Sequence, residues 1–184
     1  MTTHLVDKEI RYTGEQLRCH WAYTTFGIEG DSIVAFVGAS DVRGDALVDL
    51  EDARRGETIV ARKMLHFIAE HFEVDLQRAI LRQRLLVAIL AEALSRRGAK
   101  GLVRDGDDLY YTSRKLTVSV ATVSPLSSLI HLGVNVEAEG APVPAVGLEE
   151  LGIDARELAQ EVMQSYKAEM LSIENARTKV RPIG

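Results

Sequence analysis

The segment from Arg114 to Val136, RKLTVSVATVSPLSSLIHLGVNV, constrains the fold more than any other part of the chain. Apolar and polar residues alternate along it, and the turn-forming run Ser124-Pro-Leu-Ser-Ser128 divides it into two halves. Alternation with a period of two is typical of β-strands, and proline and serine favour a turn between them. The segment is therefore predicted to be a β-hairpin with one apolar and one polar face.

The pairing of this hairpin decides which residues share its polar face. A register symmetric about Leu126 places Thr117 opposite Asn135 and Ser119 opposite Gly133. Because side chains alternate between faces, the polar face is predicted to carry Lys115, Thr117, Ser119, Ala121, His131, Gly133 and Asn135. The core face is predicted to carry Leu116, Val118, Val120, Ile130, Leu132, Val134 and Val136. The polar face is either solvated or the lining of a ligand pocket, in which Gly133 leaves room for a ligand.

The other elements follow from apolar periodicity and capping residues. Upstream of the hairpin the pattern predicts a helix over 14–25, strands over 33–37 and 64–72, a charged loop over 41–57 and a helix over 75–98. Asp154 begins a last helix with an apolar stripe. Strands and helices in this order predict an α+β fold, with a mixed or antiparallel sheet packed by helices.

Composition limits the class of protein. With 184 residues, 46% of them apolar and 27% charged, the chain has the profile of one domain, placed at 1–184. A formal net charge of −5 disfavours nucleic acid as a partner. The longest apolar run, LLVAIL, is too short to cross a membrane. One cysteine and a charged N-terminal stretch predict a cytoplasmic protein without a disulfide framework or a signal peptide.

The approach to the hairpin carries a family resemblance. The run D-D-L-Y is followed after three residues by R-K, then by a strand and by the strand G-V-N-V. This order resembles the catalytic core of the biotin and lipoate protein ligases, which carry a W-P-N-D segment, a lysine that begins a strand and a later G-x-N-hydrophobic strand. The hairpin also resembles the octanoyltransferase branch of that superfamily. The whole chain is similar to domain-of-unknown-function family 366, a family label that carries no activity.

The ligase resemblance implies roles for particular residues. Lys115 matches the catalytic lysine that contacts the substrate carboxylate and the adenylate phosphate. Asp107 and Asp108 match the polar pair of W-P-N-D, and Arg54-Arg55-Gly56 occupies the place of the phosphate-binding loop. The resemblance thus implies ATP and magnesium as cofactors. The loop itself, VDLEDARRGETI, departs from the ligase pattern because it has one glycine and four carboxylates.

The chemistry of acid activation gives a reason for a lysine at this place. Forming an acyl-adenylate brings the negative charges of a carboxylate and a phosphate together, and a fixed ammonium stabilises both. Carboxylates such as Asp107 and Asp108 could hold a magnesium ion on the phosphates. The alternative for the D-G-D-D run is a solvated turn.

The cysteine and histidine residues give weaker indications of function than the lysine and aspartate residues do. The octanoyltransferases use a cysteine after the second strand of the hairpin, and the segment 139–147 contains none. Cys19 falls in the predicted N-terminal helix, where a small core residue is expected rather than a nucleophile. His66 and Glu70, with His20 or His131, are the one metal set that can be assembled. A buried, hydrogen-bonded histidine is the alternative, and we predict no metal site.

These observations lead to a functional hypothesis with one rival. The protein is expected to bind a small carboxylic acid, and to activate or transfer it, with Lys115 as the electrostatic anchor. The predicted substrate-binding residues are Arg114, Thr117, Ser119, His131, Gly133 and Asn135. A protein acceptor and a homodimer are compatible with this function. The rival is a non-catalytic binding or assembly protein that keeps the ligase-like fold without nucleotide chemistry.

Overall fold

The computed structural model of the protein describes residues 1–141 and 143–183. Its strands are β1 (Thr2–Leu5), β2 (Ser32–Val42), β3 (Ile59–His71), β4 (Leu102–Asp105), β5 (Asp108–Tyr111), β6 (Arg114–Lys115), β7 (Thr117–Val123) and β8 (Ser128–Glu137). Its helices are α1 (Trp21–Phe26), α2 (Leu50–Arg55), α3 (Leu76–Arg96) and α4 (Ala155–Lys179), with a short 3-10 turn at Gly44–Ala46. Strands and helices are thus interleaved along the chain.

Five strands form the main sheet, in the order β1-β2-β3-β8-β7. β1 runs parallel to β2, and the remaining neighbours are antiparallel. A second sheet of three short strands, β4-β5-β6, leads into the hairpin. This mixed sheet packed by helices confirms the predicted fold class.

Helices α3 and α4 cover one face of the main sheet and bury the larger apolar core with it. Asp75 and Asp154 cap these helices as predicted: Asp75 accepts from Arg78 N–H, and Asp154 accepts from the N–H groups of Arg156 and Glu157. Leu90 of α3 and Leu158 of α4 are fully buried, and burying one such side chain contributes about 1.5–3 kcal/mol. Within the described residues, no helix combines the length and apolar character needed to span a membrane.

The opposite face of the sheet is covered by two different layers. Over β2, the N-terminal segment and α1 bring Tyr12 and Trp21 into one apolar cluster with Phe36. Over β3, β7 and β8, the segment that contains α2 encloses a cavity whose lining includes Leu47 and His131. The candidate site therefore lies on the sheet face opposite α3 and α4.

The predicted helix over 14–25 is wrong in its first half. Thr13 N–H donates to Gln16 Oε1 over 3.0 Å, which is one half of a capping box. His20, however, has a φ of 62°, in the left-handed region, and α1 begins at Trp21. A right-handed helix does not continue through such a residue. Cys19 consequently lies in a turn ahead of α1, half-buried.

The predicted loop over 41–57 holds regular structure. β2 continues to Val42, and β3 begins at Ile59, earlier than predicted. Between them Asp49 caps α2 by accepting from the N–H groups of Glu51 and Asp52. Because α2 has no buried residue, it has no apolar stripe, and an apolar stripe is the sequence signal for a helix.

The predicted hairpin is confirmed, but its predicted register is wrong by one residue. Val123 pairs with Ser128, and Ser124 N–H donates to the Ser127 carbonyl over 2.7 Å. The hairpin is therefore centred ahead of Leu126 rather than on it. The observed pairs include Thr117 with Val134, Val118 with Gly133, Ser119 with Leu132, and Val120 with His131.

This shift changes which side chains share a face, because neighbouring residues of a strand project to opposite sides. Val118 and Val120, predicted for the core, line the cavity with His131. Thr117, predicted for the polar face, is fully buried and does not line it. Lys115 still lines the cavity because the strand is interrupted at Leu116, between β6 and β7.

Candidate functional site

The candidate site is a cavity of about 320 Å³ between the sheet and the segment that connects β2 to β3. Its apolar lining includes Ile59, Met64, Val118 and Val120 from the sheet and Leu47 from the connecting segment. Polar side chains lie at its edge and on its floor, and they come from different elements. Ligand pockets are commonly built in this way, with an apolar wall and a few placed polar groups.

Lys115 is held at the edge of the cavity by its backbone. Its N–H donates to the Pro144 carbonyl (2.9 Å), and its own carbonyl accepts from Val146 N–H (3.0 Å). The same carbonyl accepts from Asn135 Nδ2 over 3.2 Å. Asn135, one of the predicted substrate-binding residues, therefore both lines the cavity and fixes the strand that carries Lys115.

The Lys115 ammonium is paired with Asp108, with Nζ 2.7 Å from Oδ2, and both side chains are half-buried. Burial raises the pKa of Asp108 above its ordinary value, and the charges of Asp107 and Asp52 raise it further, although Lys115 opposes the rise. Burial alone would lower the pKa of Lys115, but the hydrogen bond to Asp108 raises it above its ordinary value. Lys115 therefore stays charged, and burial destabilises the ionised form of the Asp108 carboxyl group.

Carboxylates also surround the cavity on the side of α2. Asp49, Asp52 and Glu57 belong to its lining, and burial together with the charges of the other two raises the pKa of Asp52. Lys115 is the one cationic side chain among the described lining residues. The electrostatic character of the edge is therefore acidic, apart from that lysine.

Of the residues predicted to bind a nucleotide, Asp107 and Asp108 line the cavity, whereas Arg54, Arg55 and Gly56 do not. Arg54 and Arg55 line a separate shallow depression on the outer side of α2. The Arg55 guanidinium pairs there with Glu51 (2.5 Å), and Gly56, with a φ of 67°, ends the helix. The predicted phosphate loop thus lies outside the cavity lining. The charged side chains that the segment between β2 and β3 contributes to the cavity are acidic instead.

Asp107 and Ser119 form a polar link between α3 and the hairpin at the cavity edge. The Asp107 carboxylate accepts from Gln83 Nε2 (2.8 Å) and lies 3.2 Å from Arg84 Nη1. Ser119 Oγ donates to the Asp107 carbonyl and accepts from Gln83 Nε2. These two predicted site residues are brought together, and Gln83 holds them.

Three predicted substrate-binding residues do not line the cavity. Thr117 Oγ1 accepts from Leu109 N–H over 2.8 Å inside the protein. The space that Gly133 was expected to leave is filled, since a Cβ there would lie 2.8 Å from Met64 Cε. Arg114 pairs with Glu150 at the surface, with separations of 2.9 and 2.6 Å. For Thr117 the cause is the register shift.

His131 lies on the cavity floor and stacks on Tyr12, with ring centroids 3.9 Å apart. His66 Nδ1 lies 3.1 Å from His131 Nε2. Burial lowers the pKa of His66 to about 3 and holds the pKa of His131 well below its ordinary value. Both imidazoles are therefore neutral near pH 7.

The metal set considered from the sequence does not assemble. Glu70 accepts from His20 N–H and from Ser127 Oγ, away from the histidine pair. The part of the chain that the structure describes holds no group of three or more His, Cys, Asp or Glu side chains placed for a metal ion. Tyr12 was missed by the sequence analysis, because it reaches the site through an isolated β-bridge to Ser40 that leaves no local pattern.

Comparison with known proteins places this chain in a family. The family model described as domain of unknown function (DUF366) matches residues 1–181. The chain belongs to this family. An uncharacterized protein of Methanocaldococcus jannaschii is 40% identical over all of this chain and 86% of its own length. A solved protein of unknown function from Pyrococcus horikoshi is 41% identical with a TM-score of 0.95, over 100% of this chain and 99% of that one.

More distant solved structures share the fold of this DUF366 protein. Biotin protein ligase from Aquifex aeolicus, in complex with biotin and ATP, has a TM-score of 0.61 at 16% identity, over 90% of this chain and 69% of that one. A lipoate protein ligase candidate from T. acidophilum with bound lipoic acid has a TM-score of 0.60 at 14% identity, over 94% and 86%. At such identities the likeness shows the fold, and it matches the resemblance found in the sequence.

Proposed function

We propose that the protein binds a small carboxylic acid in the cavity, with the carboxylate of the ligand at the Lys115 ammonium. The observation that carries the proposal is the position of Lys115, the one cation among the described lining residues, half-buried beside an apolar wall. A fixed ammonium in a partly desolvated site binds a carboxylate more strongly than bulk water does. Asn135 holds the lysine's backbone in place.

The ligand carboxylate has to share this ammonium with Asp108. The raised pKa of Asp108 supports the proposal, because protonation of this carboxyl group would release Lys115 to another anion. Binding is then coupled to proton uptake by Asp108. The affinity of the acid is expected to rise as the pH falls toward the pKa of Asp108.

Activation of the acid as an acyl-adenylate is the second candidate function, favoured by the fold shared with ligases solved with biotin and ATP. Transfer from such an adenylate requires an acceptor, which we propose to be a protein because the neighbours are named protein ligases. The described residues fit the nucleotide poorly. Phosphates are bound by cationic side chains, but Asp49, Asp52 and Glu57 line the cavity. The arginines of α2 lie outside it.

The test is a calorimetric titration with octanoate, lipoate, biotin and benzoate, each with and without ATP and magnesium. Saturable binding of at least one acid without nucleotide supports the first candidate. Exchange of labelled pyrophosphate into ATP that depends on the acid supports the second. If no acid binds and no exchange is seen, the carboxylate proposal is wrong.

A further inference from the structure

Two polar atoms that open onto the cavity floor have no hydrogen-bond partner among the described residues. They are Tyr12 Oη and His131 Nδ1, on rings that stack 3.9 Å apart and are only 3% and 2% exposed. Among the described residues, Thr13 Oγ1 is the buried side-chain oxygen that has neither a hydrogen-bond partner nor contact with solvent. Since Tyr12 and His131 line the cavity, their free atoms are reached from it. A ligand that fills the cavity and excludes water must pair with these two atoms or leave them without a hydrogen bond.

A chain of hydrogen bonds fixes the role of His131 Nδ1. His66 Nε2 faces the Gly38 carbonyl at 3.3 Å, and a carbonyl only accepts, so this nitrogen carries the proton. His66 Nδ1 is then the acceptor for His131 Nε2–H at 3.1 Å. The remaining nitrogen of a neutral His131 is therefore an acceptor. A ligand atom that pairs with it must be an N–H or O–H donor.

Tyr12 Oη supplies the complementary group. Burial raises the pKa of Tyr12 above its ordinary value, so the phenol stays protonated and donates a hydrogen bond. The neighbouring imidazoles are neutral because burial lowers the pKa of both. The pair offers one donor and one acceptor without any charge. An ammonium or a carboxylate placed here would be desolvated without a counter-charge.

We propose that Tyr12 and His131 form a subsite for a neutral head group with an N–H donor and a carbonyl acceptor, of which a carboxamide is the simplest. The head group belongs to the same ligand whose carboxylate lies at Lys115, so the inference rests on the proposed function. His131 is four residues from Asn135 along β8, which corresponds to about 13 Å. Since Asn135 holds the backbone of Lys115, we expect an extended acid with its amide at the end far from the carboxylate. A plain hydrocarbon chain would leave both buried atoms unpaired.

Matched pairs of acids test this inference. The amide probes are adipamic, pimelamic and suberamic acid, and their isosteres are 6-methylheptanoic, 7-methyloctanoic and 8-methylnonanoic acid. Within a pair the shape and the carboxylate are the same, so calorimetry isolates the head group. We expect one amide acid to bind at least tenfold more tightly than its isostere. Equal or tighter binding of every branched acid would overturn the subsite and leave the carboxylate proposal standing.

Two variants separate the ends of the ligand. Tyr12→Phe removes only the hydroxyl and is expected to weaken the amide acid about tenfold while leaving the branched acid unchanged. Because the hydroxyl has no partner in the described protein, the melting temperature without ligand should not fall. Lys115→Met is expected to weaken both acids of a pair by the same factor. A Tyr12→Phe variant that binds the amide acid as the parent does would contradict the subsite. If none of the six probe acids binds the parent protein while one of the acids titrated above does, the subsite is wrong and the carboxylate proposal stands.

Discussion

At the scale of single residues, the pair of Lys115 and Asp108 sets the charge of the candidate site. The two groups are 2.7 Å apart and half-buried, and Asp107 and Asp52 add negative charge nearby. A ligand carboxylate meets one cation and several anions there. The balance between them is open to measurement with two nearly isosteric substitutions.

Lys115→Met keeps most of the aliphatic stem and removes the charge. We expect affinity for the best-binding acid to fall by about 1.5–3 kcal/mol, the scale of a lost charge-assisted hydrogen bond. Asp108→Asn is expected to raise that affinity, because it removes the carboxylate that competes for the ammonium. Lys100→Met, at an exposed position, is the control and should change nothing. Calorimetry measures all three, and weaker binding by Asp108→Asn would contradict this account of the pair.

At the scale of elements, the hairpin register decides which side chains meet the ligand. Thr117 is buried with its hydroxyl on Leu109 N–H (2.8 Å), whereas Val118 lines the cavity. In the register symmetric about Leu126 these two positions would exchange places. Exchanging the two side-chain types, one position at a time, therefore tests the register.

Thr117→Val leaves Leu109 N–H buried without its partner, so we expect a loss of about 1–3 kcal/mol in the free energy of unfolding. Val118→Thr places a hydroxyl at the cavity, where water can reach it, and should cost less than about 1 kcal/mol. Urea denaturation of both variants gives the comparison. A larger loss for Val118→Thr than for Thr117→Val would show that the register is misassigned.

The histidines that join β3 to β8 make stability depend on pH. The pKa of His66 is about 3 in the folded protein, against about 6.5 in the unfolded chain. The unfolded state therefore binds more protons between these values, and stability falls as pH drops below about 6.5. The loss amounts to roughly 2 kcal/mol at pH 5 for His66 alone. Urea melts at pH 7.5 and 5 measure it, and His66→Leu should reduce the difference.

At the scale of the whole molecule, α4 is tied to the sheet by a buried polar chain as well as by apolar packing. Tyr166 of α4 has its hydroxyl 2.9 Å from His71 Nε2, and His71 Nδ1 lies 3.2 Å from Asp31 Oδ2. Tyr166 and His71 are essentially inaccessible to solvent. The contact joins the last helix to β3, the strand that also carries His66.

Tyr166→Phe removes the hydroxyl and leaves His71 Nε2 buried without its partner. We expect a loss of about 1–3 kcal/mol in the free energy of unfolding. Tyr23→Phe is the matched control, since Tyr23 is 52% exposed, and it should change stability by less than about 0.5 kcal/mol. Denaturation followed by the fluorescence of Trp21 gives both values. Equal stability of the two variants would show that this contact contributes little.

The sequence by itself determined the hairpin, the long helices with their caps and the class of fold, because these follow from side-chain periodicity and from residues a few positions apart. It also singled out Lys115, Asp108, His131 and Asn135, which the structure gathers at one cavity. The tertiary structure alone decided the register of the hairpin. The observed turn between Val123 and Ser128 and the predicted turn centred on Leu126 differ by a single position, and the sequence is compatible with both. The tertiary structure alone also brought Tyr12 onto His131 across more than a hundred residues, because contacts between distant segments depend on packing and leave no local pattern.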